Sequence, residues 1–305
     1  MQVDYVVVSY RSGRDLAWCL DAINADRPDR AGIIVVDNAS PDASATIAEE
    51  HPSHPRVIRL PENVGFGSGC NAGVAASDAE AVFFVNPDAR LERGCTSGLL
   101  AALGADSRLA IAGPRVVHPR GDVLASAGGA EPSLRAVLGH YLRFAHLPVV
   151  GSAFPPLHLV DPLVPARPDW MTGAAMLVRR TAFDNVGGFD TRLFLYMEDI
   201  DLCRRLRAEG WQIGYVPAAH VVHEIGGSQG SEQPARWYRA FHRYLVLHRG
   251  PVEARAASLL ASLGFLARSI AQHRSRPANA RRMAVAARVA ALSAIGPAAG
   301  RGDSV

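Results

Sequence analysis

The sequence of 305 residues contains no lysine, so all 32 residues of its combined lysine and arginine count are arginine. This absence excludes a Walker-type phosphate loop, which needs Gly-Lys-Ser/Thr, and it excludes a pyridoxal Schiff base or a lysine nucleophile. The bias itself is typical of a GC-rich coding sequence. Any chemistry must therefore depend on carboxylates, histidines, backbone amides and arginines.

Cysteines and long apolar runs are also scarce. The four cysteines lie far apart without a Cys-x-x-Cys pair, so we expect neither a zinc site nor a disulfide framework, and we expect a reducing compartment. The apolar run 256–267 ends at Arg268, short of the roughly 18 residues that a membrane span requires. Residues 1–4 lack the features of a signal peptide. These patterns predict a cytoplasmic protein with a substantial core.

The charge is distributed unevenly along the chain. Residues 1–235 hold 20 arginines and 27 acidic residues, a net charge of −7. Residues 236–305 hold 12 arginines against Glu253 and Asp303, a net charge of +10. A basic tail on an acidic body is typical of proteins that bind a polyanion or a membrane surface. Nucleic acid is not the expected partner, because the acidic body would repel a phosphate backbone.

Short β-branched runs alternate with helical segments over the first hundred residues. This alternation predicts βαβ units and a parallel sheet, with ligands bound beyond the carboxyl ends of the strands. Tyr10, Asp37 and Asp88 each follow a predicted strand, so we expect them on one rim of the sheet. The predicted strands are 4–9, 33–36, 56–60 and 81–85, with helices near 15–25, 43–50 and 71–76.

The middle of the chain, roughly 132–168, is rich in proline and histidine and lacks a clear period, so we expect an irregular connection there. Regular structure resumes with the apolar run 170–178 and a helix over 198–208. After Pro234 the chain is rich in alanine and arginine, and its pattern is helical.

Two of the turns that follow strands carry carboxylates. Asn86-Pro87-Asp88 offers hard oxygen ligands to Mg²⁺ or Mn²⁺ bridging a diphosphate, although the tripeptide alone is more often a simple turn. The segment of Asp37, Asn38 and Ser40 also has two interpretations. Asp37 is either part of a helix cap or an acceptor for the imide N–H of a uracil or thymine base.

Two further segments carry groups suited to binding or catalysis. The Gly-rich passage 62–71 offers backbone amides to a phosphate, but it does not follow the first strand, so a dinucleotide fingerprint is not supported. Segment 196–201 places Glu198, Asp199 and Asp201 at a helix start, which is more acid than capping requires. Glu198 or Asp199 can act as a base toward a hydroxyl. His223 fits a structural role or a contact with metal or phosphate.

Taken in order, these motifs resemble those of family 2 glycosyltransferases with the GT-A fold. The resemblance spans roughly residues 3–230, about three quarters of the chain. The pair of motifs Asn-Pro-Asp and Met-Glu-Asp-x-Asp is most similar to bacterial rhamnosyltransferases of cell-wall and surface polysaccharide assembly. The matching segments are 6–10, 35–40, 63–66, Asn71, 85–88, Trp170 with Gly173, 187–190 and 196–201.

The resemblance implies an α/β protein with a mixed, mostly parallel sheet flanked by helices. The GT-A domain would occupy residues 1–234, with a nucleotide-sugar half over about 1–113 and an acceptor half over about 114–234. Residues 235–305 would form a helical, Arg-rich C-terminal extension.

It also implies roles for single residues around a nucleotide-sugar donor. Asp88 would be the principal ligand of a divalent metal, Mg²⁺ or Mn²⁺, with His223 as a further contact to the metal or diphosphate. Because Asn86 replaces the first acid of the Asp-x-Asp pair of the wider GT-A class, the strictness of metal dependence stays open. The donor-binding residues would be Ser9, Tyr10 and Asp37 at the base, with Asn63, Gly65, Asn71 and Asn86 near the ribose and diphosphate.

On the acceptor side, the resemblance implies that Asp199 is the catalytic base, with Glu198 beside it. Trp170 and Gly173 would border the acceptor. The implied reaction is an inverting, metal-assisted transfer of a sugar, L-rhamnose from dTDP-L-rhamnose, to a hydroxyl of a polyprenyl-diphosphate-linked or polysaccharide acceptor. The alternative is a catalytically weak sugar-nucleotide-binding or scaffold protein of the same fold. A dehydrogenase is disfavoured by the missing dinucleotide fingerprint.

The arginine-rich tail has three interpretations. It can be a basic amphipathic helix on anionic lipid, which would place the protein peripherally on the inner face of the cell membrane. It can also be a helical arm for oligomerisation, or a solvated and partly disordered tail. We favour the first, since it suits a lipid-linked acceptor.

Overall fold

The computed structural model describes residues 1–121, 127–141, 153–155, 157–159, 163–223, 233–272 and 277–295. The chain divides into two compact units. Unit 1 comprises Met1–Gly129 with His158–Ser228, and unit 2 comprises Ala130–Leu157 with Gln229–Val305. Within the described residues, we find no helix with the length and apolar character of a membrane span.

Unit 1 is built on a sheet of eight strands. They are β1 (Val3–Ser9), β2 (Ile33–Asp37), β3 (Arg56–Arg59), β4 (Ala81–Val85), β5 (Ala89–Leu91), β6 (Leu109–Val117), β9 (Ala175–Arg179) and β10 (Gln212–His223), in the order β3-β2-β1-β4-β9-β6-β10-β5. A small second sheet pairs β7 (Gly128–Gly129) with β8 (Trp170–Met171). The helices of unit 1 are α1 (Gly13–Asp26), α2 (Ser44–Glu49), α3 (Phe66–Ala75), α4 (Cys95–Ala105), α6 (Arg180–Asn185) and α7 (Glu198–Ala208).

The large sheet is mixed and mostly parallel, as predicted. Strands β1, β2, β3 and β4 run parallel to one another, and β6 runs parallel to β10. Strand β9 runs antiparallel to both β4 and β6, and β5 runs antiparallel to β10. Every residue of β2 and β4 is buried. Such continuous apolar runs are typical of strands that are covered on both faces.

Two sequence predictions differ from the structure, and a third segment, in which regular structure was expected to resume, is divided. Helix α3 begins at Phe66 and not at Asn71, because glycines at its first turns weaken the helical signal. The apolar run 170–178 is two strands, β8 and β9, separated by a turn at 172–174. The stretch 132–168 is not irregular throughout, since it contains α5 (Leu134–Tyr141).

Unit 2 consists of α5 with α8 (Gln233–Arg249), α9 (Pro251–Gln272) and α10 (Pro277–Ile295). The buried carboxylate of Glu131 accepts from Arg249 at 2.9 Å, and the backbone N–H of Leu134 donates to Glu253 at 2.8 Å. These bonds join the segment before and at α5 to the C-terminal helices. The acceptor half was predicted over 114–234. Its middle part, Ala130–Leu157, belongs to unit 2 together with most of the predicted extension.

Candidate active site

The edge at which the parallel strands end gathers most of the predicted site residues. Strands β1, β2 and β4 are parallel and finish there, and the antiparallel β9 starts there because Ala175 pairs with Val85. Strand β10 is parallel to β6 and ends at the same edge. The expected common rim for the residues after Ser9, Asp37 and Val85 is therefore present, and His223 joins it.

Two buried side chains at this edge present polar atoms without a partner. Ser9 and Asp37 are opposite each other in the β1–β2 register. Ser9 Oγ and Asp37 Oδ1 have no hydrogen-bond partner among the described residues, while Asp37 Oδ2 accepts from the N–H of Ser40 at 3.3 Å. Unsatisfied buried polar atoms are rare in native proteins, so these two atoms are candidates for hydrogen bonds to a ligand. Tyr10, which follows Ser9, is exposed.

A pair of asparagines, Asn38 and Asn63, shapes the turn that precedes α3. Asn38 donates from Nδ2 to Asn63 Oδ1 at 2.9 Å, and its own Oδ1 accepts from the N–H of Val64 at 2.9 Å. Asn63 Oδ1 also accepts from the N–H of Gly65 at 3.0 Å. The Oδ1 atom of Asn63, predicted to lie near the ribose and diphosphate, therefore serves the turn. Sequence reasoning missed Asn38 in this role, although Asx residues that bond nearby backbone are a known turn signal.

Gly65 lets this turn approach the loop that precedes the acidic cluster. Its φ of +86° belongs to a region that side chains disfavour, and a Cβ there would lie 2.3 Å from the carbonyl oxygen of Phe194. The next residue, Phe66, donates its N–H to that same oxygen at 2.9 Å. Only glycine allows this close approach.

Asn71 bonds to backbone with both polar atoms of its side-chain amide. Its Nδ2 donates to the carbonyl oxygen of Phe189, and its Oδ1 accepts from the N–H of Phe189, both at 2.9 Å. The amide therefore fixes the chain just after the Gly187-Gly188 turn. The predicted place of Asn71 near the ribose and diphosphate stays a prediction, and both polar atoms of its amide already bond to Phe189.

Asp88 and His223, the two predicted metal contacts, touch each other. Residues 221–223 of β10 pair with β5, which places His223 opposite Ala89. His223 Nε2 lies 3.0 Å from Asp88 Oδ1, and both side chains are largely buried. No group of three His, Cys, Asp or Glu side chains suited to a metal occurs in the described part of the chain. The donor set is one carboxylate and one imidazole, which fits a cation that takes its other ligands from phosphate and water.

Asn86 shows that the turn and the binding interpretations of its motif are compatible. Its N–H donates to the carbonyl oxygen of Ala174 at 2.9 Å, and its carbonyl oxygen accepts from the N–H of Ala89 at 3.0 Å. The backbone therefore forms the turn. The partly exposed side chains of Asn86 and Asp88 lie at the rim.

The acidic cluster begins α7 after a strained approach. Tyr196 and Met197 have φ values of +67° and +70°, which non-glycine residues rarely adopt and which cost about 1–3 kcal/mol each. This turn brings Asp199 against the turn before β9. Asp199 Oδ2 accepts from the N–H of Gly173, and its Oδ1 accepts from the N–H of Ile200, both at 2.8 Å.

Burial changes the proton affinity of the two adjacent carboxylates. Desolvation raises the pKa of Asp199 above its ordinary value, although the hydrogen bonds from Gly173 and Ile200 oppose the change. Desolvation, reinforced by the charge of Asp199, raises the pKa of Glu198 well above its ordinary value. Glu198 Oε2 is buried without a partner among the described residues. A raised pKa makes a carboxylate more basic, which is a property expected of a general base.

The third acid of the cluster has a structural role. Asp201 is buried and its Oδ2 accepts from Arg205 Nε at 2.7 Å. Arg205 also donates from Nη1 to the carbonyl oxygens of Val186 and Gly188. Asp201 therefore holds the arginine that fixes the Gly187-Gly188 turn.

The two residues predicted to border the acceptor differ in their surroundings. Trp170 is buried in β8, opposite Gly129 of β7. Gly173 positions the predicted base directly through its N–H, and a Cβ at this residue would lie 3.1 Å from the ring of Phe66. The Gly173–Asp199 hydrogen bond was not predicted, since it joins two separate motifs.

Family models match most of the chain. Residues 4–147 match the model described as "Glycosyl transferase family 2", and residues 82–276 match that of "Glycosyl transferase family group 2". The chain belongs to glycosyl transferase family 2. It is a glycosyltransferase, as the order of its motifs predicted.

Among its curated relatives is an N-acetylglucosaminyl-diphospho-decaprenol L-rhamnosyltransferase of Mycobacterium tuberculosis. It is 33% identical over 255 residues, which cover 78% of this chain and 80% of the relative. Rhamnosyltransferase WbbL of Escherichia coli is 43% identical over 84 residues, which cover 27% of this chain and 32% of the relative. The predicted resemblance to rhamnosyltransferases is confirmed.

Solved structures confirm the GT-A fold. A mannosyltransferase from Pyrobaculum calidifontis in complex with GDP-Man and Mn²⁺ has a TM-score of 0.60 and 17% identity, covering 96% of this chain and 87% of that one. GalNAc-T7 with UDP, GalNAc and Mn²⁺ has a TM-score of 0.59 and 16% identity, covering 83% of this chain and 51% of that one. At these identities the likeness extends to the fold alone.

Proposed function

We propose that this family 2 glycosyltransferase moves L-rhamnose from dTDP-L-rhamnose to a hydroxyl of a polyprenyl-diphosphate-linked or polysaccharide acceptor, with inversion at the anomeric carbon. The mycobacterial relative, named for rhamnosyl transfer to N-acetylglucosaminyl-diphospho-decaprenol, supports the sugar and a lipid-linked acceptor. WbbL of Escherichia coli supports the sugar.

The observation that carries the mechanism is the environment of Asp199. Its carboxylate is fixed by two backbone N–H groups, and desolvation raises its pKa. Asp199 removes the proton of the acceptor hydroxyl. The acceptor oxygen forms its bond to the anomeric carbon while the bond from that carbon to the diphosphate oxygen breaks, and the electron pair leaves with the nucleoside diphosphate. A single in-line displacement inverts the anomeric configuration.

For the donor, we assign the base pocket to Ser9, Tyr10 and Asp37. Asp37 Oδ1 is buried without a partner among the described residues and suits the imide N–H of thymine. Ser9 Oγ provides a second unsatisfied group beside it, and the exposed ring of Tyr10 can stack on the base. Gly65 and Asn63 shape the neighbouring turn at the ribose and diphosphate.

For the metal, we assign Asp88 and His223 as the residues that hold a divalent cation, with Asn86 next to them. The carboxylate of Asp88 fits Mg²⁺ or Mn²⁺, both of which take further oxygen ligands from phosphate and water. The imidazole of His223 fits Mn²⁺ as an additional ligand. When bound, the cation neutralises charge on the departing diphosphate. Two solved proteins of similar fold were determined with Mn²⁺, which supports this assignment.

On the acceptor side, we keep Trp170 and Gly173 as the border of the acceptor site, with Glu198 beside the base. Gly173 fits this role through its contact with Asp199. A lipid-linked acceptor also implies that the reaction takes place peripherally at the cytoplasmic face of the membrane. Oligomerisation is not required by this mechanism.

The decisive experiment replaces Asp199 by Asn and follows rhamnose transfer from dTDP-L-rhamnose to a synthetic N-acetylglucosaminyl-diphospho-polyprenol in the presence of Mn²⁺. We expect turnover to fall by roughly 10²–10⁴-fold, the usual contribution of general-base catalysis. Donor binding, measured by calorimetry, should persist. Glu209→Gln is the matched control, because Glu209 is an exposed acid at the other end of the same helix.

Four outcomes would contradict parts of the proposal. Undiminished turnover in the Asp199→Asn variant would remove this residue from the base role. A product whose anomeric configuration matches the donor would exclude inversion. Donor binding without any transfer by the wild-type protein would instead indicate the alternative, a catalytically weak sugar-nucleotide-binding or scaffold protein. Preference for UDP- or GDP-sugars in a thermal-shift screen would correct the donor.

A further inference from the structure

Helix α9 carries a row of exposed aliphatic side chains along its whole length. Their spacing of seven, four, three and four residues places them on one helix face. Between 48% and 80% of each side chain is exposed. The row, which we call the α9 stripe, consists of Val252, Leu259, Leu263, Leu266 and Ile270.

The α9 stripe is not the face by which α9 packs within unit 2. The packing face has small buried residues, among them Ala254, Ala257 and Ala261. Polar side chains fix the neighbouring helices: Ser258 bonds to His242 at 2.8 Å, and Ser262 donates to the backbone of α10 at 2.9 Å. The stripe therefore lies on the side of α9 that its own unit leaves uncovered.

Arginines accompany the exposed aliphatic residues. Arg255 is exposed on α9, at the border of the stripe. On α10 the exposed residues Arg281, Val285, Arg288 and Leu292 follow spacings of four, three and four, so cationic and aliphatic groups share one face of that helix.

The acids of unit 2 do not balance this charge at the stripe. Glu131 pairs with Arg249, and Glu253 accepts from the N–H of Leu134; these are the acids of the described part of unit 2. Residues 236–305 as a whole have a net charge of +10. The α9 stripe is thus an apolar surface within a strongly cationic unit.

We propose that the α9 stripe and the neighbouring arginines bind the surface of an anionic lipid bilayer. The 22-residue helix would lie in the plane of the interface, with its aliphatic side chains among the acyl chains and its arginines at the lipid phosphates. Charge decides between this occupant and a second copy of the chain. A second copy would bring two cationic units together, and their charges would repel each other. The phosphates of an anionic bilayer would instead neutralise the arginines.

This surface goes beyond the proposed transfer reaction and does not depend on it, since bilayer binding needs neither donor nor acceptor. It gives the enzyme a means to remain where an acceptor with a polyprenyl chain resides. The test can therefore be run on the full chain without any substrate.

The experiment measures co-sedimentation of the full-length protein with vesicles of phosphatidylcholine containing phosphatidylglycerol, and with vesicles of phosphatidylcholine alone. The test variant is Leu259→Glu with Leu263→Glu. The control is Leu163→Glu in unit 1, because Leu163 is 62% exposed and Leu263 is 64% exposed. A second variant, Arg281→Gln with Arg288→Gln, tests the charge. Circular dichroism checks that each variant is folded.

We expect the wild type and the Leu163→Glu control to bind the anionic vesicles equally. The stripe variant should lose at least about tenfold in partition coefficient, since two leucines no longer leave water. The arginine variant should lose roughly fivefold per residue. Added salt should weaken wild-type binding, because the Debye length falls from about 10 Å at 0.1 M to about 3 Å at 1 M. The Asp199→Asn variant should bind vesicles normally, which separates this result from any failure of catalysis.

Several results would overturn the inference. They are no binding to anionic vesicles, equal binding by the wild type and the stripe variant, or equal binding to both kinds of vesicle. A concentration-dependent dimer in analytical ultracentrifugation that the stripe variant abolishes, without vesicle binding, would assign the surface to a second copy.

Discussion

Replacing Gly65 by alanine tests the contact between the turn before α3 and the loop that precedes Glu198 and Asp199. The added Cβ would lie 2.3 Å from the carbonyl oxygen of Phe194, where real Cβ contacts stay above 3.0 Å. The backbone at φ +86° and ψ 171° is itself unfavourable for alanine. The two loops must therefore separate, or the turn must change its conformation.

The expected loss of stability can be summed from two effects. The disfavoured backbone conformation costs about 1–3 kcal/mol. Displacement of Phe194 also breaks its hydrogen bond with the N–H of Phe66, which contributes about 0.5–1.5 kcal/mol. We expect the free energy of unfolding to fall by about 2–4 kcal/mol. Turnover should fall as well, because the displaced loop leads directly into Tyr196, Met197 and the two carboxylates.

Urea unfolding and steady-state transfer rates measure the two effects. Gly104→Ala is the matched control, because Gly104 lies in α4 and a Cβ there would meet no atom within 4 Å. Alanine should stabilise that helix slightly, by up to about 1 kcal/mol. A Gly65→Ala variant with wild-type stability and turnover would refute the view that this close approach positions the acids.

Three further predictions concern single side chains. Burial raises the pKa of Glu198, so the native state keeps the proton of this carboxyl group to higher pH than the unfolded state does. The free energy of unfolding of the wild type should therefore fall as the pH rises above the ordinary pKa range of a glutamate. The Glu198→Gln variant should show a weaker pH dependence in urea titrations. Asn71→Ala removes two hydrogen bonds to the backbone of Phe189 and should cost about 2–4 kcal/mol in the same assay, whereas Asn185→Ala at an exposed site should cost little. His223→Ala should raise the Mn²⁺ concentration needed for half-maximal transfer by at least about tenfold.

Each of these has a result that would contradict it. Parallel stability curves for the wild type and Glu198→Gln across acid and neutral pH would show that Glu198 does not carry the raised pKa. Equal losses for Asn71→Ala and Asn185→Ala would show that the Phe189 bonds contribute nothing. An unchanged Mn²⁺ requirement in His223→Ala would separate the histidine from the metal.

Local patterns were sufficient to predict the first four strands of the large sheet and the acidic cluster. Residues 33–36 of β2 and all of β4 are uninterrupted apolar runs, and α7 begins at the predicted residue, Glu198. The parallel order of the first strands follows from the helices between them. Each of these patterns is local, so it can be read from a short stretch of sequence.

The contacts inside the site could not be predicted in the same way. Gly173 and Asp199 are separated by 26 positions, Asn71 and Phe189 by 118, and Asp88 and His223 by 135. Each pairing depends on the register of strands or on the packing of loops, which local propensity does not encode. The resemblance to a family supplied roles for these residues, but not their partners.

Helix α5 was missed for a similar reason. It has eight residues in a segment rich in proline and histidine, and such a short helix is marginal by itself. Its first turn is completed by Glu253, a residue from α9. The stabilising partner lies more than a hundred residues downstream, so the helix has no strong local signal.

The pairing of β5 with β10 also has a consequence for synthesis. In the eight-stranded sheet, β5 lies at an edge and β10 is its neighbour, so residues 89–91 acquire their partner only when residues 221–223 have left the ribosome. Asp88 likewise acquires His223 at that moment. Domains generally fold as units, and those nearer the N-terminus fold first as the chain emerges. The sheet of unit 1 can therefore be completed only after residues 221–223 have emerged, and the metal site that we propose at Asp88 and His223 would form no earlier than that.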